Sequence, residues 1–401
     1  MFEASLAVHD LHYASPFRFG ATTLTYRPFV QIRLMEGANA GYGEAAPLEG
    51  FGTDAFDGAL HAVRDAVLWL AECPRVAAMW RRASMPPSSS KSDDLMDHAN
   101  ALRDILVAAD AEVDVATPTA RGAVSTALID LWSQTHRMSF AHALGLVATN
   151  VPAQAGVTTE DALSTAVSCN AVVGGGALEA IKAEVSRAAQ AGFSVVKLKV
   201  ASGEASLVDE SAMVSRLLSD YPSLRFRLDA NGGWDRDAAL RFMTMLPPNS
   251  LEYIEQPVPA RDVASLCWLA KNGTQRVAAD EALLNGPETR ATILSNPSID
   301  TVVIKPALLG GPLPAIEYGA AARAQGKRVV VTTSLDGVVG RAMAAHVARW
   351  FGGMAHGLDT RALLSSDYGV AFGEEANTPT RAFSESVFGL GVTMTDDDAS
   401  Y

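Results

Sequence analysis

The chain has 401 residues, 48% of them hydrophobic, and a net charge of −13 at neutral pH. That length predicts one large domain with a smaller one beside it. No Lys/Arg cluster interrupts the acidic balance, which argues against nucleic acid as the main partner, and no run of 18 apolar residues predicts a membrane span.

Cys73, Cys169 and Cys267 are far apart and odd in number, so they form neither a disulfide framework nor a zinc spacing. They read as free thiols in a reducing cytoplasm. The start, Met1-Phe-Glu-Ala-Ser-Leu6, has neither the basic nor the apolar segment of a signal peptide, and a cytoplasmic location is expected.

Residues 1 to about 55 predict a small antiparallel sheet, with strand-like runs at Leu6–Val8, Thr22–Tyr26 and Val30–Met35. Gly41-Tyr-Gly-Glu-Ala-Ala-Pro47 follows, and the stretch Gly50–Gly58 reads as a loop. Helical spacing covers 56–82 and 93–112, with a polar connection at 84–94. Strands followed by helices make an α+β unit, placed at 1–118. Thr119–Gly145 is helical, and its apolar stripe of Ala123, Ala127, Leu128, Leu131 and Trp132 is explained by core packing.

From about 167 onward strands alternate with helices. The strands fall near 167–173, 195–200, 225–230, 252–256, 276–280, 301–305, 328–333 and 356–360. Helical segments lie between them, at Leu178–Gln190, Ser206–Ser219, Asp235–Met245, Val263–Lys271, Pro314–Gln325 and Gly337–Trp350. This order predicts a (β/α)8-type barrel over 119–365. The alternative, an open doubly wound sheet, lacks a Gly-x-Gly-x-x-Gly after an early strand. Residues 361–401 read as irregular, with about 366–401 returning towards the first domain and the acidic Asp396-Asp-Asp398 disordered or solvated.

Chemistry concentrates at the strand ends. Val195-Val-Lys-Leu-Lys-Val200 reads as a buried strand, yet Lys197 and Lys199 stand two apart and so share a face. A buried strand holds two cations only if anions meet them. The next strands end in Asp229, Glu255 and Asp280, and a further one in Lys305. In a barrel these ends converge on one mouth. Three carboxylates there repel one another unless a cation joins them, and oxygen ligands favour a hard ion such as Mg2+. Burial and cationic neighbours favour the neutral, basic form of a lysine. General base catalysis supplies roughly 10²–10⁴-fold, whereas enzymes supply about 8–23 kcal/mol in all. The larger share therefore falls to charge stabilisation by the metal. The arrangement suits removal of an α-proton from a carboxylate substrate.

The set Lys197-Leu-Lys199, Asp229-Ala-Asn231, Glu255-Gln-Pro257, Asp280-Glu281 and Lys305 resembles the enolase superfamily, in its lysine-based, muconate-cycloisomerase-like subgroup. The resemblance covers about residues 1–365. It implies a modified TIM-like barrel, (β/α)7β, under an α+β capping domain. It also implies Mg2+, with Mn2+ as a substitute, held by Asp229, Glu255 and Asp280. Acid–base chemistry falls to Lys199 and Lys305, with Lys197 tuning Lys199. Within the subgroup the later segments are similar to the o-succinylbenzoate synthase family. These are Lys305-Pro-Ala-Leu-Leu-Gly-Gly311, Thr332-Thr-Ser-Leu-Asp-Gly-Val-Val-Gly340 and Gly357-Leu-Asp-Thr360. That resemblance assigns substrate contacts to Asn170, Asn231, Thr333, Ser334, Gly357 and Leu358. The seventh segment departs from the family's serine-rich form at Thr332, Thr333 and Gly337. Dipeptide epimerases of the subgroup carry an Asp-x-Asp pair where this chain has Gly-Leu-Asp-Thr.

The implied reaction is dehydration of a succinyl-hydroxycyclohexadiene carboxylate through an enediolate, a step of menaquinone biosynthesis. The alternative is N-succinylamino acid racemization or dipeptide epimerization with Lys199 and Lys305 as two bases. Two further readings are a Schiff-base lyase, with Lys305 or Lys199 as the amine, and a non-catalytic barrel that binds a partner. Loops near Phe17–Thr22 and Glu49–Thr53 are candidates to close over a small-molecule carboxylate. No heptad pattern sets an oligomeric state. His356 near the barrel mouth reads as a packed or surface histidine.

Overall fold

In the computed structural model, which describes residues 3–19, 22–49, 53–85, 92–113, 117–148, 163–174, 177–203 and 205–395, alternation along the first strands builds a three-stranded antiparallel sheet. Its members are β1 (Glu3–Phe19), β2 (Thr22–Glu36) and β3 (Asn39–Ala45), in that order. Val30, Ile32 and Leu34 face the core, with Gln31 and Arg33 between them on the other face.

Three helices follow: α1 (Phe56–Glu72), α2 (Pro74–Ala83) and α3 (Ser92–Glu112). The single helix predicted over 56–82 is broken at Cys73. Pro74 has no N–H to donate and opens a new helix at its first position. The helix predicted over 119–145 is likewise two, α4 (Pro118–Thr135) and α5 (Phe140–Val147). Ser139 restarts the chain by accepting a hydrogen bond from the His142 amide. α4 packs directly on β3. Side chains at Gly41 or Gly43 would collide with the α4 backbone at Ala127 and Ala123.

Asp130 of α4 is fully buried and ties two distant segments together. It accepts from the Tyr42 amide at 2.9 Å and the Leu390 amide at 2.8 Å. Burial pushes its pKa up to about 7. A carboxyl raised in the fold contributes stability that is full below its unfolded value near 4 and is lost as pH rises through about 7. Asp130→Asn should therefore gain on the wild type between pH 5 and pH 8, by roughly 1–3 kcal/mol in urea unfolding. A difference that stays constant with pH would remove Asp130 as its source.

The barrel begins after β4 (Ala166–Ser168). Its seven parallel strands are β5 (Ala171–Val173), β6 (Val195–Lys199), β7 (Arg225–Asp229), β8 (Tyr253–Glu255), β9 (Val277–Ala279), β10 (Thr301–Ile304) and β11 (Arg328–Val331), neighbours in sequence order. The crossovers are α6 (Leu178–Gln190), α7 (Leu207–Asp220), α8 (Arg236–Met245), α9 (Val263–Asn272), α10 (Pro287–Ser295) and α11 (Pro312–Ala324), with α12 (Val338–Ala348) after the last strand. Period-two alternation separates two apolar sets. Outward residues such as Val196, Leu228, Ile254 and Val302 join one core with the helices and the cap. Tyr253, Ala278, Val303 and Val330 form a separate cluster, the packed interior of a barrel.

The predicted eighth strand is reduced to a bridging pair that closes the ring. His356 N donates to Ser168 O at 2.7 Å and Asn170 N to His356 O at 2.9 Å. On the other side Gly357 N donates to Val331 O at 2.9 Å and Thr333 N to Gly357 O at 3.0 Å. A Cβ at Gly357 would collide with Thr332. The result is a (β/α)7β barrel with an α+β cap. The run predicted as one strand at 167–173 is split, because β4 pairs with the returning tail rather than with the barrel.

That tail is more ordered than its composition suggests. β12 (Gly369–Ala371) pairs with β14 (Val392–Met394), and β13 (Thr380–Ala382) with β4. Arg341 of α12 is fully buried and donates to both oxygens of Glu374, at 2.7 and 2.9 Å, and to Asp367. A buried guanidinium needs such partners, and they fasten the tail to α12. Asp396–Asp398 lie outside the described residues. Among those described, no helix is long and apolar enough to cross a membrane.

Candidate active site

Strand register sets the site. Lys199 pairs with Asp229, and Asp229 with Glu255, so these three reach the mouth at one level. Lys197 lies one interior layer below, and Asp280 and Lys305 directly follow β9 and β10. In a ring of eight positions, β6 and β10 are opposite, which places Lys199 and Lys305 on opposing sides of the mouth.

The side chains meet as ion pairs. Lys197 Nζ is 2.5 Å from Glu255 Oε1 and 2.9 Å from Asp229 Oδ2. Lys199 Nζ donates to Asp229 Oδ2 at 2.6 Å and to Asn231 Oδ1 at 2.8 Å. Lys305 Nζ is 2.5 Å from Asp280 Oδ2 and 3.3 Å from Glu281 Oε1. Asn231 joins the two sides by donating to Glu281 Oε1 at 2.9 Å.

Two of the strand ends use left-handed backbone, at Asn231 (φ 42°) and Gln256 (φ 40°). Such conformations are uncommon for residues other than glycine and are held by their surroundings. Gln256 Oε1 accepts from the Asp280 and Ala282 amides, both at 3.1 Å, and so fixes the turn that carries Asp280.

Burial and charge work against each other here. Burial opposes ionisation of Asp229, but Lys197 and Lys199 outweigh it and hold the carboxyl well below its usual range. Burial, reinforced by Asp229, pushes Glu255 up, and burial with Glu281 pushes Asp280 well up. Burial likewise favours neutral Lys197 and Lys305. Asp229 and Glu255 around the first, and Asp280 and Glu281 around the second, reverse it and raise both. The sequence-based expectation of lysines made basic by cationic neighbours is therefore inverted for these two. Asp229, Glu255, Asp280 and Glu281 surround these two lysines, and their nearest charges are anionic.

The donor set suits a hard divalent cation, being oxygen throughout. Glu255 is fully buried, yet its Oε2 has no hydrogen-bond partner among the described residues. An orphaned carboxylate oxygen at that depth fits a missing cation. Asp229, Glu255 and Asp280 would hold it. Among the described residues, no three such side chains already converge on one point. One oxygen of each is turned to a lysine instead, and a bound cation would compete with these contacts.

A cavity of about 80 Å³ opens above the ring. Lys197, Lys199, Asp229 and Lys305 form its charged side, with the Asn231 amide and Thr332, Thr333, Ser334 and Thr360 adding neutral polar positions. Leu48, Leu335, Leu363 and Val172 form the apolar part, and Leu48 comes from the cap. Of the predicted substrate contacts, Asn231, Thr333 and Ser334 line this cavity. Asn170, Gly357 and Leu358 are not among its lining residues. Asn170 accepts from Arg227 Nη1 at 2.9 Å, beneath the floor. The Gly357 carbonyl accepts from Thr332 Oγ1 at 3.0 Å, and Leu358 is buried. Residues 20, 21 and 50–52 of the candidate closing loops lie outside the described residues.

Sequence reasoning singled out neither Arg227 nor the cap residue Leu48. Arg227 is fully buried, donates to Glu252 Oε2 at 2.5 Å and stacks over Tyr253 with its guanidinium 5.0 Å from the ring centroid. Its signal was the same alternation that marked Asp229, two residues later. His356 is buried and takes no part in the cavity. Its Nδ1 accepts from the Val331 amide, its Nε2 donates to Phe351 O, and burial with Arg227 lowers it to about 4. All three cysteines are free. A larger cavity of about 310 Å³ lies between α3, α4 and residues 310–317. Its two arginines are already engaged, Arg103 by carbonyls of Leu146 and Val147 and Arg121 by Asp110, and it gathers no acid–base set.

The structure is a parallel barrel whose strand ends oppose lysines and carboxylates beneath an α+β cap. Residues 180–398 match the family described as enolase C-terminal domain-like, and the chain belongs to that family. The chain is 33% identical over 185 residues to the o-succinylbenzoate synthase of Enterobacter sp. (strain 638), covering 45% of this chain and 56% of that protein. It is also 33% identical to that of Klebsiella pneumoniae (strain 342) over 183 residues, 45% of this chain and 55% of the relative. The match thus spans just over half the length of these curated relatives.

Similar folds are found in the dipeptide epimerase from Enterococcus faecalis V583, solved with Mg and the dipeptide L-Leu-L-Tyr (TM-score 0.79, 17% identity, 98% of this chain and 99% of that one). The N-succinyl Arg/Lys racemase from Bacillus cereus is another (TM-score 0.76, 18% identity, 98% and 95%). A third is the muconate lactonizing enzyme from Pseudomonas fluorescens (TM-score 0.74, 20% identity, 99% and 96%).

Proposed function

We propose that the chain catalyses the Mg2+-dependent dehydration of a succinyl-hydroxycyclohexadiene carboxylate to o-succinylbenzoate, in the cytoplasmic route to menaquinone. The observation that carries the chemistry is the placement of Lys199 and Lys305 on opposite sides of a carboxylate ring. The choice of substrate is supported by the likeness to o-succinylbenzoate synthases, 33% identity over 185 and 183 residues.

Lys199 Nζ takes the α-proton, and the electron pair moves towards the substrate carboxylate. Mg2+ bound by Asp229, Glu255 and Asp280 would supply positive charge where that carboxylate gains negative charge. The β C–O bond then breaks. The hydroxide leaves with the proton returned by Lys199, so one water departs and the ring becomes aromatic. Lys305 faces the other side of the ring and stabilises developing charge, with a cation–π contribution as aromaticity forms. Lys197 holds Asp229 and Glu255 in place. Asn231, Thr333 and Ser334 contact the substrate, and Asn170, Gly357 and Leu358 support the floor and wall behind them.

The test is turnover of that substrate by purified protein with Mg2+ and again with EDTA. Fast appearance of the aromatic product only with Mg2+ is the expected result. No turnover despite Mg2+ binding sinks the substrate assignment. The second reading, racemization of an N-succinylamino acid or epimerization of a dipeptide, is favoured by the opposed lysines and by the fold neighbours named above. It predicts deuterium wash-in at the α-carbon without loss of water.

A further inference from the structure

We propose that Arg27 and Glu44, on cap strands β2 and β3, are positioning residues that set two walls of the cavity from across the domain boundary. This role rests on the reading of the cavity as the substrate site.

Arg27 is almost fully buried, and among the described residues its hydrogen bonds and ion pair go to Pro47, Ser334, Leu335 and Asp336, none of them a lysine or carboxylate of the ring. Its Nε donates to Pro47 O at 3.0 Å, immediately before Leu48. Its Nη1 donates to Ser334 O and, at 3.3 Å, to Leu335 O. One planar guanidinium therefore spans the cap side of the cavity, at Leu48, and the barrel side, at Ser334 and Leu335. Leu335 sits at φ 63°, left-handed backbone that a branched side chain adopts only when held. The Arg27 contact to its carbonyl helps hold it.

Glu44 fixes the far end of the same loop. Its Oε1 accepts from the Gly337 amide at 2.6 Å and its Oε2 from the Gly340 amide at 3.2 Å. Gly337 is the N-cap of α12 and has no side chain to cap it, so the carboxylate from the other domain does so. The glycines are the space for it. A Cβ at Gly337 would stand 2.7 Å from Glu44 Oε2, and one at Gly340 would stand 2.6 Å from Asp336 Cβ and 3.2 Å from Glu44 Oε1. The departure from a serine-rich segment at Gly337 thus has a physical reason. The loop is closed by Asp336, which accepts from the Ser334 amide at 2.9 Å and the Ser334 hydroxyl at 2.8 Å. Ser334 lines the cavity with its hydroxyl held by Asp336, so its position in the wall depends on these cap contacts.

The experiment is Glu44→Gln in the full chain, read by amide hydrogen exchange and by kinetics. Exchange in peptides covering 332–341 should speed by about tenfold or more, with those covering 195–255 unchanged. KM should rise about tenfold while kcat stays within about twofold. Unchanged exchange at 332–341, a uniform rise across the barrel, or a fall in kcat at constant KM would each overturn the positioning role. Should Glu44→Gln fail to fold, Arg27→Lys decides. It keeps the charge, loses the fork, and should loosen both 46–49 and 332–336. If the wild type does not turn over the cyclohexadiene substrate, the substrate assignment fails while the exchange result still decides the role of the cap.

Discussion

Lys199→Ala should lose turnover by roughly 10⁴-fold, the upper end of what a general base supplies, while the barrel stays folded. Lys199 is the most exposed lysine of the ring, with 28% of its side chain accessible. Its loss does not strand a charge, because Asp229 keeps Lys197 at 2.9 Å. A melting temperature within a few degrees of the wild type would confirm that the effect is on chemistry. Lys305→Ala separates the two reactions of the site. In dehydration Lys305 only stabilises charge, so turnover falls less than in Lys199→Ala. In racemization both lysines move protons, and the two variants are equally inactive. Near-wild-type rates in Lys199→Ala would remove this lysine from the mechanism. The comparison must allow for stability, since Lys305 holds Asp280 and Glu281 together and its removal leaves two buried carboxylates facing each other.

The ring was legible because strand geometry is local. Lys197 and Lys199 share a face by alternation, and Asp229, Glu255 and Asp280 follow at or just past the ends of successive strands. A parallel barrel turns that list into a ring without further information. The same rule reached no further than short, regular segments. The strands of the tail are no shorter than β5, β8 and β9, but no helical crossovers flank them, and their order depends on Arg341 meeting Glu374 and Asp367. The eighth strand survives only as a bridge at His356 and Gly357. Glu44 and Gly337 are 293 residues apart, and Arg27 and Ser334 are 307 apart. Nothing in the neighbourhood of either residue marks it. No element was assigned to Gly41–Pro47, where the structure continues β3 to Ala45, a strand whose glycines admit α4 and whose glutamate crosses to α12.

Glu255→Gln should abolish the stabilisation that Mg2+ gives the folded protein. A cation that binds only the native state adds about 2.7 kcal/mol at a concentration of 100 Kd, a rise in melting temperature that needs no substrate to observe. Glu255 is the informative position because its Oε2 lies buried without a partner while its Oε1 is engaged by Lys197 at 2.5 Å. The glutamine keeps the volume and removes the charge, so the packing of β8 is preserved. Calorimetric affinity for Mg2+ should weaken by at least about 100-fold, the upper end of what supporting contacts alone contribute. Glu281→Gln is the control for general loss of charge. Glu281 is also buried beside Lys305, and its Oε2 likewise has no partner among the described residues, but its Oε1 is bound by Asn231 at 2.9 Å and it stands outside the proposed ligand set. If both variants lose the Mg2+ shift equally, attraction to the whole anionic pocket explains binding. If only Glu255→Gln loses it, the carboxylate is a ligand. An undiminished shift in Glu255→Gln would take Glu255 out of the metal site, leaving its buried oxygen to be explained by Lys197 alone.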